Sequence, residues 1–146
     1  MEYYVKKLTD GRDVYFTVYW SRLTLADKYE IIKKVPSMSG IFELYYEDRK
    51  GKLNLLRVQK AWYGGLRHTI RAKIDPELEE DEEKREILED YKCYFRFSIL
   101  ESFKDLTDLL YFFAATYFPH NIDVPHSGRY ERIFVREISE DKLVTI

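Results

Sequence analysis

The chain has 146 residues, 45% hydrophobic and 16% aromatic, which suits one folded domain over residues 1–146 and excludes a disordered chain. Its one cysteine, Cys93, excludes an intrachain disulfide, a four-thiolate zinc site and a CxxC redox motif. Net charge is −2; no apolar run has signal-peptide length and no uncharged segment is long enough to cross a bilayer, so a cytoplasmic protein with no membrane partner is expected.

Val14, Phe16, Val18 and Trp20 alternate with Tyr15, Thr17 and Tyr19, the pattern of a half-buried strand. Asp10-Gly11 separates this strand from residues 3–8, so the two are expected to form a hairpin. Thr24, with Asp27 three residues later, reads as the cap of a helix running to about Lys34, ahead of Pro36. Residues 41–46 and 53–58 form a second hairpin around a polar turn containing Gly51.

After the loop Trp62-Tyr63-Gly64-Gly65, Leu66, Ile70 and Ile74 recur at helical spacing and set Arg67 and Arg71 on one adjacent strip. Asp75-Pro76 suits the cap and first turn of another helix, and residues 75–90 are expected to form an acidic, solvated helical excursion. Tyr91, Cys93, Phe95, Phe97 and Ile99 again alternate with other residues, with Cys93 as a small apolar filler. Ser102 and Asp105 resemble a capping pair before Leu106, Leu109, Leu110, Phe113, Ala114 and Tyr117, an apolar helical stripe stopped by Pro119. Residues 132–138 supply a last strand. The expected class is α+β: a small, largely antiparallel sheet flanked by helices, with an added N-terminal hairpin.

Charge is unevenly placed. Residues 49–73 hold eight basic and no acidic side chains, whereas residues 77–90 carry nine acids against Lys84 and Arg85. The basic segment is a candidate contact for DNA or RNA and the acidic one for a protein partner. Mutual neutralisation of the two blocks is the alternative. Within the basic segment, Lys60, Trp62, Tyr63, Arg67, His68 and Arg71 combine cations for phosphates with rings for stacking. A Trp-Tyr loop that staples a helix to a sheet would have the same composition. His68, His120 and His126 have no HxxxH spacing and read as solvated or core-edge residues. No GxSxG elbow is present, and Gly64-Gly65 is too short to indicate a phosphate cradle.

Gly40-Ile41-Phe42, a hairpin, the run Lys60 to Arg71 (KAWYGGLRHTIR), a strand, an apolar helix, then Pro119 and Asn121 follow one another in an order that resembles the GIY-YIG nuclease family, over residues 39–122. The resemblance implies DNA cleavage with one divalent metal in active members. Two tyrosines and an arginine would sit near the scissile phosphate, a glutamate on a later helix would hold the metal, and an asparagine would follow. These identities matter because hydrolysis needs an activated nucleophile, charge stabilisation on the phosphate and a hard cation held by oxygen.

Set against that pattern, Phe42 occupies the first tyrosine position. With the strand end LRVQKA as the second motif, Arg57 replaces tyrosine and Gln59 replaces glycine, while Lys60 and Ala61 fit. Matching Tyr63-Gly64-Gly65 instead recovers a tyrosine but lengthens the connection, so the first register is preferred. Arg67 or Arg71 matches the arginine, although the first register also admits Thr69. The metal position falls among Leu109, Leu110, Tyr111 and Phe112, and Asp105 and Asp108 read as acids of a helix start.

The resemblance therefore implies a catalytically inactive GIY-YIG-like domain acting as a binding or interaction module. Its candidate binding residues are Lys60, Trp62, Tyr63, Arg67, His68, Arg71 and Asn121, with no confident catalytic residue, metal ligand or cofactor. An active endonuclease using Tyr63, one of the arginines, Asp108 and Asn121 with Mg or Mn is one alternative. A protein-association module with no nucleic-acid role is the other.

Overall fold

Period-two patterns in the chain become seven strands and its 3.6-residue patterns four α-helices, in a computed structural model that describes residues 3–120 and 123–141. The elements are β1 (Val5–Asp10), β2 (Asp13–Tyr19), β3 (Thr24–Leu25), α1 (Lys28–Lys34), β4 (Gly40–Glu47), β5 (Leu53–Ala61), α2 (Gly65–Lys73), a 3₁₀ turn (Pro76–Leu78), α3 (Glu82–Asp90), β6 (Cys93–Ile99), α4 (Phe103–Tyr117) and β7 (Arg132–Ile138). The fold is α+β. One sheet is antiparallel throughout, in the order β3-β6-β4-β5; the other has the order β1-β2-β7 and contains the N-terminal hairpin.

Packing divides the four-stranded sheet into two faces. Phe42, Leu44, Phe95 and Phe97 point one way and pack with Ile31 and Val35 from the α1 region and with Leu66 and Ile70 of α2. Ile41 points the other way and joins Leu106, Leu109 and Phe113 of α4, together with Val14, Phe16 and Val18 of β2. Helix α4 thus lies between the two sheets, which explains why Asp105 to Leu109 are buried in succession, polar Thr107 and Asp108 included. No described helix is long and apolar enough to cross a membrane.

Several expectations are corrected. Thr24 caps no helix: Thr24 and Leu25 pair with Phe95 and Tyr94 as a short edge strand, and Asp27 caps α1 by accepting from the Tyr29 amide. The tertiary strand pairing outweighs the local capping preference. Asp75 and Pro76 do start a helix, but it stops after one 3₁₀ turn and Asp81 caps the next. The acidic excursion is also less free than expected, because Ile87 and Leu88 pack on the core and Arg57 pairs with Glu79.

Two glycines have steric reasons. A Cβ at Gly40 would lie 2.2 Å from the Ser98 carbonyl oxygen and 2.7 Å from a Leu66 methyl, so the opening glycine of the GIF run allows β4 to pass close to β6 and α2. Gly65 has φ of 77° and would place a Cβ 2.2 Å from the Ser37 oxygen.

Candidate nucleic-acid interface

Helix α2 enters from Gly64 in the left-handed region, without a side-chain cap. Its first amides are occupied instead: Leu66 N–H donates to the Met38 carbonyl and Arg67 N–H to that of Pro36. Any anion here must therefore be held by side chains. Arg67, His68 and Arg71 do line one open groove of about 440 Å³, with Ser37, Gly64 and Asp75 on its rim. Arg67 is anchored by donation from Nε to the Val35 carbonyl at 2.8 Å, which leaves its terminal nitrogens to the groove. Tyr63, 84% exposed, stands in the loop that leads into the helix.

Lys60 and Trp62 are not part of this group. Lys60 Nζ reaches Thr107 Oγ1 at 3.4 Å and lies 4.3 Å from the centre of the Phe103 ring, and Trp62 meets the same ring edge-on at 5.4 Å. These residues attach the end of β5 to the start of α4, the stapling role that a Trp loop suits. Asn121 lies outside the described residues.

The positions singled out by the GIY-YIG resemblance have definite surroundings. Phe42 has no exposed surface and sits in the core under α2. Gln59 and Arg57 stand opposite Phe42 and Leu44 on the same sheet face, and Arg57 is held by Glu79. Leu109 is buried between the sheets, on the face away from α2.

Asp108 accepts from Ser127 N–H and Ser127 Oγ, both at 2.6 Å, and from Arg129 at 2.8 Å. Asp105 pairs with Arg129 and Lys7. Such engaged carboxylates do not fit the single divalent metal that the resemblance implies, and among the described residues no three His, Cys, Asp or Glu side chains converge on a metal position.

A second polar assembly gave almost no sequence signal. Glu43 and Arg96 stand directly opposite on β4 and β6, and Arg96 Nε donates to Glu43 Oε1 at 2.6 Å. Tyr45 donates to the same oxygen at 2.8 Å, while Trp20 Nε1 and the Tyr117 hydroxyl donate to Glu137, which lies 3.6 Å from Arg96. The Arg96 guanidinium also lies 4.6 Å from the centre of the Trp20 ring system. Burial pushes the Glu43 carboxyl above its usual range, against the pull of Arg96. The Tyr45 hydroxyl is raised, first by burial and then by Glu43. Each charge stood alone in an aromatic strand and resembled a solvent-facing residue; the only hint was that the two signs are opposite.

Cys93 is buried with Phe95 on the α2 side, and burial raises its thiol to about 11, so it acts as an apolar filler. A family model described as "Uncharacterised protein" matches residues 4–146. No curated protein and no solved structure matches the chain.

Proposed function

The chain belongs to that family of uncharacterised proteins, and from its geometry we propose a catalytically inactive GIY-YIG-like domain that works as a cytoplasmic binding module, with nucleic-acid backbone as the ligand of the α2 groove. One observation carries the reading: Arg67, His68 and Arg71 share an open groove while Phe42 is sealed in the core behind it. Phosphate-directed cations are retained where a hydroxyl for chemistry is missing.

Arg57 supports the same reading. It stands at the preferred second-tyrosine position and is pinned by Glu79, so the acidic segment neutralises Arg57 and leaves Arg67 and Arg71 of α2 as the cations of the groove. The altered-site nuclease draws no comparable support, because Asp108 is 1% exposed and fully hydrogen-bonded. A protein-association reading is favoured by one feature: Glu82, Glu83, Glu86, Glu89 and Asp90 of α3 are exposed, a surface suited to a basic partner.

Fluorescence anisotropy with a labelled DNA duplex tests the groove. Arg67→Gln with Arg71→Gln is expected to weaken binding uniformly across sequences and lower the log–log salt slope by about 2, near 0.9 per phosphate contact. Unchanged affinity and slope in a folded double variant would refute the proposal.

A further inference from the structure

The outer face of the three-stranded sheet carries a patterned surface of its own. Alternation along β2 buries Val14, Phe16 and Val18 and turns Tyr15, Thr17 and Tyr19 outward. Strand register then dictates their neighbours. Leu8, Tyr15 and Phe134 form one row across the sheet; Lys6, Thr17 and Arg136 form the next; Tyr19 and Ile138 continue the series. Tyr15 and Phe134 lie stacked, with ring centroids 4.9 Å apart and planes 11° from parallel, and both are about two-fifths exposed. At the other end Tyr4 and Tyr19 approach to 6.4 Å, with the Lys6 ammonium 5.7 and 5.4 Å from their ring centres.

Ion pairing leaves the middle row positive. Lys7 faces inward to Asp105, and Arg132 is neutralised by Asp13 at the sheet end, so Lys6 and Arg136 have no ion-pair partner among the described residues. Two hollows of about 520 and 260 Å³ meet at Lys6, the first reaching Phe134 and Arg136, the second Tyr4 and Ile138. With a rise of about 3.3 Å per residue, the two aromatic groups stand roughly 13 Å apart with the cations between them.

We propose that this sheet face is a binding site for single-stranded nucleic acid, bases stacking on the Tyr15–Phe134 and Tyr4–Tyr19 rings while Lys6 and Arg136 neutralise the intervening phosphates. Unpaired bases expose the π-faces that such rings take, whereas a duplex hides them in its stack. Charge selects this occupant over a second copy of the chain, since a two-fold contact through this face would press Lys6 and Arg136 against their own images. A neutral apolar partner would leave both cations desolvated and unpaired. The site is separate from the α2 groove, and either can fail without the other.

The test is anisotropy of labelled dT12 and rU12 oligonucleotides with the full chain, in rising KCl. Tyr15→Leu with Phe134→Leu, which keeps apolar bulk and removes the rings, is expected to weaken single-strand binding by about ten-fold or more. Lys6→Gln with Arg136→Gln should lower the log–log salt slope by about 1.4, near 0.7 per phosphate on a single strand. Duplex binding by the α2 groove should survive the sheet variants, which distinguishes the two sites. Circular dichroism melts establish that each variant is folded, and the glutamine pair carries the test should the leucine pair unfold. No binding of either oligonucleotide, equal affinity and salt slope for wild type and for Lys6→Gln with Arg136→Gln, or self-association lost in the leucine pair and indifferent to oligonucleotide would each overturn the proposal.

Discussion

Glu43 has no exposed surface, and its carboxylate accepts hydrogen bonds from Arg96 and Tyr45 inside a strand whose other buried residues are glycine, apolar or aromatic. Removing the arginine leaves an uncompensated buried acid, so Arg96→Met should cost about 3–5 kcal/mol in urea unfolding; a loss under about 1 kcal/mol would mean that solvent reaches Glu43. The direction of the Glu43 shift adds a pH signature. An acid whose folded value is raised contributes stability below its ordinary 4.5, and that contribution is lost as pH rises through the folded value. Wild type should therefore lose stability relative to Glu43→Gln as pH is raised from about 4 toward 8, and a constant difference in unfolding midpoint would contradict the burial argument. None of this was legible locally. Alternation in residues 91–99 marks Arg96 as solvent-facing, and only the arrival of Trp20 and Glu137 from the other sheet makes that face an interior. Gly65, by contrast, has a steric reason: it lets α2 start against the Ser37 carbonyl. Gly65→Ala should destabilise by about 1–3 kcal/mol in the same assay.

Among the elements, α4 was the most readable and the least exposed to error. Ser102 accepts from the Asp105 amide as the capping pattern requires, and Leu106, Leu109, Phe113 and Ala114 of the stripe are buried as their spacing demands, while Leu110 is half-buried and Tyr117 exposed. Hidden from sequence was the fate of its first-turn acids, because their partners Ser127 and Arg129 arrive from a loop about twenty residues away. Arg129 joins both carboxylates, so Arg129→Ala should cost about 3 kcal/mol in urea unfolding; a loss below about 0.5 kcal/mol would show the loop to be dispensable. Helix α3 illustrates the opposite limit. Its charge predicted a solvated face, which its outer acids provide, but Ile87 and Leu88 and the Glu79–Arg57 pair attach it to the sheet. Likewise β7 was legible as a strand from residues 132–138, while its parallel pairing with β2 was not, since period-two alternation says nothing about partners more than a hundred residues apart.

At the scale of the molecule, four layers carry two surfaces of different character. Helices α1 and α2 cover one face of the four-stranded sheet, α4 and the three-stranded sheet cover the other, and the α2 groove and the aromatic sheet face lie at opposite ends of that stack. Strand order in the central sheet places β4 between β5 and β6, so the GIF strand is the most enclosed of the four and its phenylalanine is inaccessible. On the proposed reading, the lack of a hydroxyl at buried Phe42, the pairing of Arg57 and the engagement of Asp108 leave a polynucleotide in the groove without a nucleophile-activating hydroxyl, a free cation or a metal carboxylate. Incubating the protein with supercoiled plasmid in Mg or Mn measures this most directly. The account predicts that the plasmid stays supercoiled while duplex binding is retained; relaxed or linear product that requires the metal and disappears in Arg71→Ala would contradict it.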